Sequence, residues 1–260
     1  MTKAIYIPIF GDCSNAQELI DSITNMIPAT TPIYVTMDKY KYEEFATAAR
    51  CKWMSRQCNV NYIIFAGGYA NTMNQIIEHA WRNCYNHILK VNENSRVPAN
   101  IMKIFNTFDT HPEIAWIGSY VSFYGIGGIK PNTGVYYTQS LGCTTIALDV
   151  KKVLSAGNYD PAVDEDDVMK IALMKRGYYI AIDSDVIVKT VNPKCDRYAK
   201  SVDPEAVKEW VAMLKRKCGD FFFIRKGKCV THWSKMNKHG LFPRIDVSKM
   251  ASKGGAPIKD

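Results

Sequence analysis

The chain has 260 residues and a hydrophobic content of 47%, which is enough for one domain with a sizeable core. It contains no apolar run of about 18 residues, and its N-terminus leads into a predicted strand without a signal-peptide layout, so we expect a soluble, cytoplasmic protein. Its eight cysteines are scattered without a C-x-x-C pair or regular Cys/His spacing, which favours reduced thiols over disulfides or structural zinc.

The positive charge is concentrated near the C-terminus. The net charge is +8, and the segment from Lys189 to Asp260 alone holds 17 Lys or Arg against 7 Asp or Glu. A basic C-terminal third predicts a polyanionic partner, for which nucleic acid, an acidic membrane surface and a phosphorylated glycan are the candidates. The alternative is a solvated surface that only aids solubility.

The first half of the chain alternates predicted strands with predicted helices. The strands are short runs rich in β-branched and aromatic residues, and the helices have apolar residues at helical spacing. The strands are predicted at 4–10, 32–37, 60–65 and 87–91, and the helices at 16–26, 42–51 and 70–85. This alternation implies right-handed crossovers, so we predict an α/β fold with a Rossmann-type, mixed but mainly parallel sheet flanked by helices.

The second half adds further elements and a basic extension. Helices are predicted at 98–110, at 150–156 and from the acidic residues 164–167 to Gly177. Strands are predicted at 114–121, 142–148 and 178–182. A glycine-rich aromatic loop at 124–137 is either a lid or a plain surface excursion. We predict one domain at 1–190 and a basic extension at 191–260, which has one predicted helix at 204–217 and packs on the body or contacts the partner.

Several polar or glycine-rich segments follow the predicted strands directly. In parallel sheets, ligands bind beyond the carboxyl ends of the strands. Phe10, Asp38, Gly67 and the segment 92–94 all fall at such ends. We therefore expect the ligand site at this edge of the sheet.

Four consecutive acids, Asp164 to Asp167, stand between a turn at 157–160 and the apolar helix that stops at Gly177. Crowded carboxylates repel one another, so they must be solvated, bind a cation or hold protons for transfer. The run is therefore a candidate active site. The alternative is a solvated helix start, since acids in a first turn complement the helix dipole.

The order of these segments resembles the A-type (GT-A) nucleotide-sugar glycosyltransferase fold over roughly 4–188. The resemblance implies an enzyme that binds a nucleotide-diphosphate sugar, with UDP as the commonest nucleotide in the family. Pro8 and Phe10 end the strand that borders the nucleotide, and Asp38 falls where a family acid binds the base or ribose. The residues assigned to the donor site by the resemblance are Pro8, Phe10, Asp38, Gly67, Asn71, Asn74 and Asn92.

Asn92-Glu93-Asn94 stands where the family carries its Asp-x-Asp metal motif. Mn²⁺ and Mg²⁺ are hard cations that prefer anionic oxygen, and the ion bridges the two donor phosphates. Neutral amides at both outer positions imply a weaker metal site formed by Glu93, Asn94 and a histidine of the extension, His232 or His239. Either the donor diphosphate recruits the ion, or basic residues replace the ion in stabilising the leaving group. For each of the two histidines, the alternative is a solvent-exposed residue without a ligand role.

The acidic run resembles the Glu-Asp pair that supplies the catalytic base in the family. We expect Asp166 to be the base that activates an acceptor hydroxyl, with Glu165 and Asp167 orienting it or the acceptor. The hydroxyl would then attack the anomeric carbon as the donor diphosphate leaves. This role predicts inversion at that carbon.

The basic extension interleaves aromatic and cationic residues, among them Arg225, Lys226, Lys228 and Trp233. Phosphate contacts and aromatic stacking suit DNA, including a base pushed out of the helix for modification. The chain therefore looks like a bacteriophage enzyme that glycosylates hydroxymethylated cytosine in DNA. The alternatives are a glycan or lipid-linked acceptor, an inactive nucleic-acid-binding module on the same fold, and, for the aromatic run 221–223, simple packing of the extension onto the body.

Overall fold

The computed structural model describes residues 2–9, 16–38, 60–65, 68–123, 134–137, 144–161, 166–190, 204–220, 222–225, 228–231 and 256–257. The strands are β1 (Lys3–Ile9), β2 (Ile33–Asp38), β3 (Val60–Phe65), β4 (His87–Val91), β5 (Ser95–Arg96), β6 (Ile114–Phe123), β7 (Val135–Tyr137), β8 (Thr145–Asp149), β9 (Tyr179–Thr190), β10 (Phe222–Arg225), β11 (Lys228–Thr231) and β12 (Ala256–Pro257). The helices are α1 (Ala16–Met26), α2 (Tyr69–Arg82), α3 (Asn106–Thr110), α4 (Val150–Ala156), α5 (Asp166–Lys175) and α6 (Pro204–Cys218), and a 3-10 helix (Ile101–Phe105) precedes α3.

Ten strands form one mixed sheet in the order β12-β7-β9-β6-β8-β4-β1-β2-β3, with β5 paired to β9. Strands β3, β2, β1 and β4 are parallel, and β9 is parallel to β6. Strand β8 is antiparallel to both β4 and β6. The predicted α/β fold, with helices flanking a mixed sheet, is confirmed.

The sheet is covered on both faces, which explains why its central strands are mostly apolar. All five residues of β4 are buried. Alternate residues of β1 enter two different core clusters: Tyr6 packs with α2, α4 and α5, and Ile7 packs with α1 and the 3-10 helix. A strand that is buried on both faces loses the alternation of apolar and polar residues that marks a half-exposed strand.

The parallel register brings the strand ends to one edge. Ile9 of β1 is level with Met37 of β2, and Asp38 at the end of β2 is level with the end of β3. Strand β4 runs the same way, so the segment 92–94 that follows it emerges at this same edge. The expected convergence of these strand ends is therefore present.

The structure differs from the predicted elements in several places, and its strands β5, β10, β11 and β12 were not predicted. The helix predicted at 98–110 begins as the 3-10 helix and becomes α-helical only at Asn106. The predicted strand at 178–182 continues to Thr190: the polar residues Asp183 to Asp185 interrupt its apolar pattern, and its pairing with β6 shifts register there and resumes at Ile187. The predicted loop at 124–137 ends in strand β7, which pairs with β9; its other residues up to 133, and the predicted helix 42–51, lie outside the described residues.

The described parts of the C-terminal extension pack on the body. Val211 and Leu214 of α6 and Phe222 of β10 belong to the core cluster that also contains α5. Lys217 forms an ion pair with Asp160. Phe222 is 2% exposed, so this aromatic residue packs the extension onto the body, as the simpler interpretation of the run 221–223 proposed. In the described part of the chain, no helix is long and apolar enough to cross a membrane.

Candidate active site

The strand order of the sheet reverses between β1 and β4, and open α/β sheets have a crevice beyond the strand ends at such a reversal. From β1 the chain proceeds to β2 and β3 on one side and later returns to β4 on the other side. In the described residues, the β1–β4 ladder ends at Tyr6 and Lys90, whereas β1 continues beside β2 to Ile9. Pro8, which has no N–H to donate, occupies the part of β1 beyond that ladder. Open α/β sheets bind ligands at such a switch point.

Asp166 is held beside this crevice by a tyrosine from another helix. It is the first residue of α5, and it is 8% exposed. The hydroxyl of Tyr69, the first residue of α2, donates a hydrogen bond of 2.7 Å to Asp166 Oδ1. Gly68 precedes Tyr69 with φ of 88°, a conformation that favours glycine and turns the chain into α2. The starts of two helices that are far apart in sequence are therefore joined through one hydroxyl.

A buried lysine shares that hydroxyl. Lys90 is 1% exposed, and its Nζ lies 3.2 Å from Tyr69 Oη and 4.9 Å from the centre of the Tyr69 ring. Burying an ammonium costs free energy unless polar groups or a counter-charge compensate it. The nearby Asp166 carboxylate is such a counter-charge. Because Lys90 is the penultimate residue of β4, this contact also locates Asp166 near the carboxyl end of that strand.

The next acid of the run is anchored by a second buried lysine. Asp167 accepts a hydrogen bond of 2.9 Å from Lys170, which is 1% exposed and lies 5.5 Å from the centre of the Trp116 ring. The ion pair lies within α5, and the Lys170 ammonium contacts the sheet through the Trp116 ring of β6. The predicted roles of Asp166 and Asp167 stay predictions, and Glu165 lies outside the described residues.

Asn74 joins α2 to the turn that precedes the acidic run. Its Nδ2 donates to the Tyr159 carbonyl at 2.8 Å, and its Oδ1 accepts from the Tyr159 N–H at 2.7 Å. In the structure the Asn74 amide therefore positions this turn, and its predicted donor contact stays a prediction. Asn71, one turn earlier, is exposed.

The segment 92–94 offers oxygen atoms of low charge. Its backbone is fixed, because the Asn92 N–H donates to the Thr144 carbonyl at 2.8 Å and the Ser95 N–H donates to the Asn92 carbonyl at 3.0 Å. The Oδ1 atoms of Asn92 and Asn94 are buried and have no hydrogen-bond partner among the described residues. The same holds for the Thr144 hydroxyl beside them.

This set of atoms does not fit a tightly bound divalent metal. Hard divalent cations are held mainly by carboxylate oxygens. Asn92 and Asn94 contribute neutral amides, and Glu93, the one carboxylate of the segment, already interacts within the chain. Among the residues that the structure describes, no three His, Cys, Asp or Glu side chains cluster as a metal site would require. His232 and His239 lie outside the described residues.

The remaining predicted site residues are only partly described. Asp38 ends β2, where its backbone is level with Phe65. Arg225 and Lys228 are paired across the β10–β11 hairpin. Phe10, Gly67, Lys226 and Trp233 lie outside the described residues.

Sequence reasoning missed Tyr69 and Lys90. Lys90 carried a signal, since it is a charged residue within the otherwise apolar strand Ile-Leu-Lys-Val, and a buried charge requires a partner. Tyr69 carried none, because its partner Asp166 is 97 residues away.

The sequence matches no protein-family model and no curated protein. The structure, in contrast, is similar to solved structures of nucleotide-sugar enzymes. Residues 1–349 of Staphylococcus aureus TarS in complex with UDP-GlcNAc align with a TM-score of 0.65 and 14% identity, covering 97% of this chain and 76% of that one. The chain has the GT-A fold.

Two further structures have the same fold. The mannosyltransferase PcManGT from Pyrobaculum calidifontis, in complex with GDP-Man and Mn²⁺, aligns with a TM-score of 0.62 and 12% identity, covering 83% of this chain and 64% of that one. GalNAc-T7 with UDP, GalNAc and Mn²⁺ aligns with a TM-score of 0.62 and 11% identity, covering 73% of this chain and 44% of that one.

Proposed function

We propose that the chain is a glycosyltransferase that moves a sugar from a nucleotide-diphosphate donor to an acceptor hydroxyl. The observation that carries this proposal is the nearly buried Asp166, held by Tyr69 at 2.7 Å beside the crevice between β1 and β4. A carboxylate in such a position suits a general base, provided that a substrate proton comes within hydrogen-bond reach. The GT-A fold, which the three similar structures use with UDP or GDP ligands, supports a nucleotide-sugar as the donor.

In this mechanism Asp166 accepts the proton of the acceptor hydroxyl. The acceptor oxygen forms a bond to the anomeric carbon, and the bond between that carbon and the donor phosphate oxygen breaks, so that the nucleoside diphosphate leaves. Tyr69 holds Asp166 Oδ1, which turns Oδ2 towards the acceptor. Because the hydroxyl attacks opposite to the leaving group, the configuration at the anomeric carbon inverts.

For the donor we propose UDP. The crevice between β1 and β4 receives the nucleotide, with Pro8 and Asn92 along its sides and Asp38 towards the base or ribose. The donor-site assignment also includes Phe10 and Gly67 from the neighbouring strand ends.

For the acceptor we propose hydroxymethylated cytosine in DNA, as in a bacteriophage DNA-modifying enzyme. The excess of basic residues in the extension supports a polyanionic acceptor, and Ile224 of the β10–β11 hairpin is 41% exposed beside Arg225. Part of this charge is neutralised within the chain, since Lys215 and Lys217 pair with Asp220 and Asp160. The DNA contact is therefore expected from Arg225 to Lys228 and from Trp233 rather than from the end of α6.

The test is transfer of radiolabelled sugar from UDP-, GDP-, CMP- and dTDP-sugars to three acceptors: hydroxymethylcytosine DNA, unmodified DNA and a lipid-linked glycan. We expect labelling of hydroxymethylcytosine DNA alone, with an inverted anomeric configuration in the NMR spectrum of the product. Labelling of the glycan alone would support the glycosyltransferase activity but contradict the DNA acceptor. DNA binding without turnover of any donor would instead favour the inactive binding module.

A further inference from the structure

The backbone of the segment 92–94 is attached to the sheet at both ends. Asn92 is hydrogen-bonded through its backbone to Thr144, which precedes β8. Directly after the segment, Ser95 and Arg96 pair with Thr190 and Lys189 of β9.

Five side-chain oxygen atoms of the stretches 92–95 and 144–145 lack a hydrogen bond within the described part of the chain. They are Asn92 Oδ1, Asn94 Oδ1, Ser95 Oγ, Thr144 Oγ1 and Thr145 Oγ1, and each is buried. A buried polar atom without a partner destabilises the folded protein. A ligand that donates hydrogen bonds to these atoms would remove that cost.

The chemistry of these atoms restricts the ligand group. An amide oxygen only accepts hydrogen bonds, so its partner must be a donor. A diphosphate at neutral pH offers almost only acceptor oxygens, so it cannot donate a hydrogen bond to Asn92 Oδ1 or Asn94 Oδ1. A divalent cation would meet neutral ligands where it prefers carboxylates. The hydroxyl groups of a ribose or a hexose are donors and fit both asparagines.

We infer that Asn92 and Asn94 form a metal-independent subsite that binds hydroxyl groups of the nucleotide-sugar. This inference rests on the proposed donor-binding function. It assigns the segment a role in sugar or ribose recognition and leaves stabilisation of the diphosphate to other residues.

The first arm of the test measures donor binding calorimetrically with a UDP-sugar, in EDTA and in Mn²⁺. We expect wild-type affinities in the two buffers that agree within about twofold. In the Asn92→Leu variant, which removes a hydrogen-bond acceptor at similar volume, we expect the donor affinity to fall about tenfold or more in both buffers.

The second arm builds the missing metal site. The double variant Asn92→Asp/Asn94→Asp should gain Mn²⁺ binding, measured by the EPR signal of free Mn²⁺, and should bind the donor at least about tenfold more tightly in Mn²⁺ than in EDTA. The matched control is Asn61→Asp, an exposed position near the start of β3, which should behave as wild type. Circular dichroism melting identifies any variant that fails to fold.

The outcomes separate the inference from the proposed function. Donor binding by the wild type that requires Mn²⁺ would overturn the inference and leave the glycosyltransferase proposal standing. Mn²⁺ binding by the wild type equal to that of the double variant would overturn it as well. If no donor binds in either buffer, the proposed function fails, and the inference that rests on it fails with it.

Discussion

Replacement of Tyr69 by Phe tests how the proposed base is held. The substitution removes one hydroxyl, which donates to Asp166 at 2.7 Å and accepts from Lys90 at 3.2 Å. A hydrogen bond to a charged group contributes about 1.5–3 kcal/mol. Since about 1.4 kcal/mol corresponds to a factor of ten, we expect the rate of sugar transfer to fall roughly 10- to 100-fold.

The kinetic pattern distinguishes positioning of the base from donor binding. Tyr69 contacts the base, so Tyr69→Phe should lower kcat and leave the donor Kd, measured calorimetrically, unchanged. The matched control is Tyr34→Phe, which removes a tyrosine hydroxyl that lies 2.8 Å from the hydroxyl of Tyr85. That pair is not in contact with Asp166, so the control should keep the wild-type kcat.

Two results would refute this reasoning. One is a Tyr69→Phe enzyme with the wild-type kcat, which would mean that the hydroxyl does not position Asp166. The other is an equal loss of kcat in Tyr34→Phe, which would trace the effect to general destabilisation. Lys90→Met provides a second check, since loss of the ammonium should also lower kcat without changing donor affinity.

Three predictions concern stability, measured by urea unfolding. Cys84 has φ of 58°, so Cys84→Gly should stabilise the protein by about 0.5–1 kcal/mol, and destabilisation would contradict this. Burial raises the pKa of Asp149, but hydrogen bonds from His87 and Lys152 outweigh burial and lower this pKa to about 2. Above pH ~4 the ionised carboxylate should therefore contribute ~2 kcal/mol to the free energy of unfolding, and this contribution should be lost as the pH falls towards 2. The Asp149→Asn variant should lack this pH dependence. Burial raises the pKa of Asp183, so ionisation of this carboxyl should reduce stability as the pH rises through its folded-state pKa. The Asp183→Asn variant should therefore be more stable than wild type, with the largest difference at pH 8. A difference in stability that grows at low pH would contradict this prediction.

The sequence was sufficient for two of the parallel strands. Val60–Phe65 and His87–Val91 have the predicted bounds, because short apolar runs between polar segments have few alternative structures. Strand β9 was predicted too short, because the polar residues 183–185 break its apolar pattern. Beyond them the strand resumes at Ile187 beside β6, a partner that the local pattern does not specify. Strand β7 was missed for the same reason, since three residues form a strand only beside β9.

Order along the chain was enough to select candidate site residues, but not to predict the contacts between them. Asp166 and the segment 92–94 were selected because they follow recognisable elements. The hydrogen bonds of the Tyr69 hydroxyl with Asp166 and Lys90 depend on how α2 and α5 pack against the same face of β4. Sequence spacing carries no information on that packing.

The most direct test of the central proposal is release of nucleoside diphosphate from UDP- and GDP-sugars by wild type and by Asp166→Asn, with donor affinity measured by calorimetry on the same samples. We predict that both proteins bind one class of donor equally well and that only the wild type turns it over. Turnover by Asp166→Asn at the wild-type rate, or no binding of any nucleotide-sugar by the wild type, would contradict the proposal.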